Sequence, residues 1–86
     1  MMKKITEDLK ITGIEISMLK QVATVTFKYV DEYEASALYS YRSAGNTWLE
    51  SNDVPDQIHM AITLEVEENE SEIIDWVNDQ FNRTED

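Results

Sequence analysis

Apolar and polar residues alternate through the first third of the chain, with one slip. Leu9 and Ile11 flank Lys10, and after Gly13 the residues Ile14, Ile16 and Met18 resume the alternation one position out of phase. A phase slip at a glycine is the sequence form of a β-bulge. Ala23, Val25, Phe27 and Tyr29 make a second alternating run. Residues 9–30 therefore read as a hairpin, although the connection through Leu19, Lys20 and Gln21 lacks the Asn-Gly or Asp-Gly pair of a tight turn.

Residues 31–44 carry two periods at once. Ala35, Ala37, Tyr39 and Tyr41 alternate as in a strand, while Tyr33, Ala37 and Tyr41 recur every four residues as in a helix, with Gly45 and Asn46 in place for a cap. The strand is favoured, because Tyr-Ser-Tyr-Arg-Ser is poor helix composition and Ala-Gly-Asn-Thr suits a hairpin loop before Trp48 and Leu49. Ser51 to Asp56 reads as a loop built on Asn52, Asp53 and Pro55.

The cleanest period-two run follows. Ile58, Met60, Ile62, Leu64 and Val66 alternate with His59, Ala61, Thr63, Glu65 and Glu67, which predicts a further strand. Asn69 with Glu72 three residues on forms a capping-box variant, and Ile73, Ile74, Val77 and Phe81 make an apolar stripe flanked by Trp76, so a helix is expected over 69–82. The expected architecture is α+β: an antiparallel sheet of three to five strands with one C-terminal helix packed on one face. Thr84, Glu85 and Asp86 are expected to fray.

Composition narrows this to a single compact domain over residues 1–86. Eighty-six residues with eight aromatics, two Gly and one Pro support one modest core, and a chain of this size buries about 60–65% of its unfolded surface. The absence of cysteine excludes disulfides, thiolate metal sites and a cysteine nucleophile. Acidic residues and Lys10 interrupt any signal-like apolar segment after Lys3 and Lys4, and no 18-residue apolar run offers a membrane span. The expectation is a cytoplasmic protein that avoids membranes.

Charge changes the picture most. Residues 1–49 balance six basic against six acidic side chains, whereas residues 50–86 hold twelve acidic residues against Arg83 alone, so the whole formal charge of −11 lies in that second segment. A one-sided field of this kind selects a basic partner surface and speeds association with it. Direct nucleic-acid binding is disfavoured, since the basic residues are few and locally neutralised.

No motif names a reaction. His59 is the sole histidine, with no neighbour in sequence to orient it as a base. Gly13 and Gly45 are the only glycines, which removes a phosphate-cradling loop, and the carboxylates do not follow EF-hand spacing. The chain is expected to be no enzyme and to have neither metal nor cofactor.

The acidic constellation is the candidate site. Glu72, Asp75 and Asp79 fall within about 60° of one another opposite the apolar stripe, with no Lys or Arg four residues away expected to relieve them. On the strand reading Glu65 and Glu67 project from one face about 6.5 Å apart, and Glu68 and Glu70 fill the turn. A curved row of seven carboxylates is expected: Glu65, Glu67, Glu68, Glu70, Glu72, Asp75 and Asp79. Beside it, Tyr39 and Tyr41, with Arg42 and Trp48, are candidates for an aromatic contact patch, core packing being preferred for Trp48 and Trp76. An unpaired sheet edge or those aromatics would also serve a homodimer.

In size, acidity and lack of catalytic residues the chain is similar to small bacteriophage inhibitors, among them anti-restriction and anti-CRISPR proteins that act as DNA mimics. The likeness is compositional and rests on no aligned motif. It implies a non-enzymatic inhibitor that occupies the nucleic-acid-binding surface of a target protein. The alternative is a general interaction module, such as an antitoxin, an immunity-type protein or an adaptor.

Overall fold

The computed structural model describes residues 3–41, 46–49 and 53–84. Five strands, β1 (Lys3–Lys4), β2 (Leu9–Ser17), β3 (Val22–Tyr29), β4 (Tyr33–Ser40) and β5 (Asn46–Trp48), pair in sequence order as an antiparallel meander. Two helices follow, α1 (Asp56–Glu68) and α2 (Glu70–Thr84), and both pack on one face of the sheet. The domain is thus α+β as expected, with a second helix where one was expected.

The bulge lies where the phase slip placed it. The β2–β3 register shifts between Ile11 and Gly13, after which Ile14 faces Val25 and Ile16 faces Ala23. One extra residue in β2 returns Ile14 and Ile16 to the face that carries Leu9 and Ile11, so the out-of-phase pattern yields one continuous apolar face. Residues 33–40 are a strand, and Val25 pairs Ala37 as Phe27 pairs Ala35. The β3–β4 turn is unusual, since Val30 and Asp31 both adopt positive φ, 46° and 57°. A β-branched residue rarely takes that conformation.

The run over 58–66 is the main correction: it is helical, not a strand. Pro55 precedes the first turn and Asp56 sits within it, both favourable to a helix start. Ile58, Ile62 and Val66 also recur every four residues, within an arc of about 80°. Ile62 and Val66 are buried and Ile58 is half-buried, whereas Met60 and Leu64 point away, 66% and 57% exposed. Thr63 is accommodated because its hydroxyl donates to the His59 carbonyl at 2.9 Å. Beyond these local factors, five strands leave one wide apolar face to cover, and a single helix is too narrow for it.

The predicted helix over 69–82 is α2, extended to Thr84, with Ile73, Val77 and Phe81 buried. Asn69 is the joint between the helices: its carbonyl accepts the first bond of α2 from the Ile73 N–H at 3.1 Å, so it holds the expected N-cap position, but its side chain serves α1. Its backbone has left helical geometry (φ −116°, ψ 20°), and its side-chain amide donates back to the Glu65 carbonyl at 2.8 Å. The core consists of Leu9, Ile11, Ala23, Val25, Phe27, Ala35, Ala37 and Tyr39 from the sheet with Ile62, Val66, Ile73, Val77 and Phe81 from the helices. The loop expectations at Arg42, Gly45 and Asn52, and the expectation that Glu85 and Asp86 fray, lie outside the described residues. Among the described residues no helix is long and apolar enough to cross a membrane.

Candidate functional site

The neutral segment and the acidic segment of the sequence become the two layers of the fold. The helical layer, residues 53–84, carries nine carboxylates against Arg83. The uncovered sheet face is mixed: Lys4 lies opposite Lys10, Lys10 opposite Lys28, and Lys28 opposite Glu34. Asp31 pairs with Lys10 at 2.9 Å, and that hydrogen bond holds the Asp31 carboxyl below its ordinary range. The lysine row came from three separate alternating stretches, so only the pairing register brings it together.

Most of the expected acidic row reaches solvent, but not as one face. Two residues apart on a helix are about 200° apart, so Glu65 and Glu67 point to opposite sides of α1 rather than projecting together. Glu67 is exposed. Glu65 turns toward the sheet, where one carboxylate oxygen accepts from the Thr6 hydroxyl at 3.3 Å and the other is buried without a partner among the described residues. Its charge, with that of Asp8, adds to burial in pushing the Tyr29 phenol up. Glu70 is half-buried.

Glu72, Asp75 and Asp79 stand exposed along the outer face of α2, as the helical spacing required. Together with Glu68 they line an open groove whose other walls are Lys3, Asn69, Ser71 and Trp76. Lys3 arrives from the sheet edge and was not part of the expected site. The expectation that no cation relieves the helical carboxylates is also corrected, because Arg83 bonds Asp79 at 2.7 Å one turn on. That pair raises the Arg83 guanidinium pKa.

The aromatic patch does not form as expected. Tyr39 is 2% exposed and belongs to the core, where burial first, and the nearby Glu70 charge to a lesser degree, push its phenol up to about 12 against the opposing hydrogen bond from Asn46. Tyr41 is half-buried against the Phe81 ring at 4.9 Å and donates its hydroxyl to Asn82 Oδ1 at 2.8 Å, which fastens the end of β4 to α2. Trp48 packs between Phe27 and His59, at 5.7 and 5.3 Å between ring centroids. His59 thus lies against an indole edge and within reach of Thr63. Among the described residues no three His, Asp or Glu side chains converge so as to hold a metal ion.

The arrangement defines a two-layer domain with an acidic helical face and a groove lined in part by one indole. The chain matches no protein-family model, no curated protein and no solved structure.

Proposed function

We propose that the protein is a non-enzymatic inhibitor that acts in the cytoplasm by occupying the basic, nucleic-acid-binding surface of a target protein. One observation carries this reading: the exposed carboxylates Glu68, Glu72, Asp75 and Asp79 share a groove on a layer with a single cation of its own. Along α2 the helical rise spaces Glu72, Asp75 and Asp79 by about 4.5 and 6 Å, of the same order as the 3.4 Å per phosphate along one DNA strand. A Lys- and Arg-lined cleft that releases counterions on binding DNA would gain from this surface in the same way. Trp76, half-buried in the groove wall, would be within reach of a partner arginine for cation–π contact.

The test is affinity capture from a bacterial lysate at about 0.1 M salt and again at about 0.5 M, followed by competition with DNA or RNA on the recovered target. Nucleic-acid-binding partners that are released by salt, displaced by DNA and lost with Glu72→Gln, Asp75→Asn and Asp79→Asn carry the reading. A salt-resistant partner with no nucleic-acid function overturns it in favour of a general interaction module of antitoxin, immunity or adaptor type.

A further inference from the structure

Met60 and Leu64 are the two large apolar side chains of α1 that the core does not use. They lie one helical turn apart, about 40° from each other around the axis, and are 66% and 57% exposed. Scattered single apolar residues need no explanation, whereas an i, i+4 pair on the outer face of a helix is a ridge onto which another helix packs. Carboxylates border it: Glu67 lies about 20° from Met60 around the axis and Glu68 about 40° from Leu64, both exposed.

That border selects the occupant. Packed α1 on α1, a second copy of this chain would bring acidic residues against acidic residues, since α1 contains no Lys or Arg, and its Lys4, Lys10 and Lys28 row is carried on strands, which offer the ridge no helix to pack against it. A helix with leucine-like residues at i and i+4 and lysines or arginines beside them satisfies both the ridge and its rim. We infer that Met60 and Leu64 are the apolar anchor of the partner-binding face, and that they dock a cationic amphipathic helix of the target. The inference rests on the acidic-face reading above and adds to it a contact that salt does not screen. Methionine suits the role, because its unbranched thioether repacks against differently shaped surfaces.

The probe is a labelled synthetic helix of leucines and lysines in amphipathic order, compared with a scrambled peptide of the same composition, in fluorescence anisotropy at about 0.15 M salt. The ordered peptide is expected to bind at least tenfold more tightly than the scrambled one. The double substitution Met60→Ser with Leu64→Ser is expected to remove that tenfold difference while leaving the scrambled peptide unaffected, with circular dichroism to verify folding. Equal affinity of the two peptides, or an ordered peptide indifferent to the double substitution, overturns the anchor. If equal affinities fall together in Glu67→Gln, Glu68→Gln and Glu72→Gln variants, the acidic-face reading survives without it; if neither peptide binds, or those variants change nothing, both fail.

Discussion

Ile62 and Leu64 are two residues apart, and the two ways of reading their segment give them opposite consequences. As strand residues they would share a face, and truncating either would cost about the same. As helix residues they are about 200° apart, with Ile62 fully buried and Leu64 57% exposed. Ile62→Ala deletes three carbons, worth about 0.8 kcal/mol each in transfer from water. A residual cavity of about 40 Å³ adds roughly 1 kcal/mol more, so the expected loss is about 3 kcal/mol. Leu64→Ala removes the same number of carbons from a site still largely in water, and the better helix propensity of Ala offsets part of that, so the expected loss is under about 1 kcal/mol. Urea unfolding followed by the fluorescence of Trp48 and Trp76 reads both values. With a slope of roughly 1 kcal/mol per molar, the Ile62 variant shifts the midpoint by several times as much as the Leu64 variant. A domain of this size holds only about 4–13 kcal/mol in total, so the larger loss is unmistakable. Equal losses within about 0.5 kcal/mol would refute the helical assignment of α1 and the exposed ridge with it.

Three further outcomes are expected. The folded state holds the Tyr39 proton up to about pH 12, whereas the unfolded chain releases it near 10, so this contribution to stability is complete below pH 10 and is lost as pH rises toward 12. Urea midpoints across that window should fall less steeply in Tyr39→Phe, and an equal slope would refute the assignment. Val30→Asn should stabilise by about 1 kcal/mol in the same assay, because asparagine tolerates the φ of 46° better than a β-branched side chain and Val30 is 42% exposed. Asp75→Lys, beyond the first turn of α2, places a cation one turn from Glu72 and from Asp79, so thermal unfolding should rise by a few tenths of a kcal/mol equivalent per relieved pair while affinity for a cationic probe falls; a variant that lowers the melting temperature would argue against the exposed acidic stripe.

The acidic stripe of α2 was legible because helical spacing alone decides which residues share a face, and Glu72, Asp75 and Asp79 do so in any packing that buries Ile73, Val77 and Phe81. Glu65 was misplaced for the converse reason. Its partners depended on whether residues 58–66 took a period of two or of four, and five apolar residues at every second position satisfy both until something outside the segment selects one. Tyr39 and Tyr41 were likewise undecided in sequence, since a tyrosine serves a core or a surface equally well until its hydroxyl finds a partner. Asn82, forty-one residues away from Tyr41, supplied one of those partners.

From the sequence by itself came the bulge at Gly13, the β2–β3 hairpin, a strand within 31–44, the C-terminal helix and the confinement of net charge to the second segment. Each is written in local periodicity, in local composition or in a sum over residues, and none depends on where distant parts of the chain lie. Tertiary structure decided between the two periods that 56–68 carries, in favour of a helix, and it alone decided that Glu65 turns inward and Met60 and Leu64 outward, that Lys4, Lys10 and Lys28 stand in one row, and that Lys3 and Trp76 join the acidic groove. The physical reason is the sheet's apolar face. Covering it favours the packing that buries most apolar surface, and that long-range requirement overrides a short segment's ambiguous period.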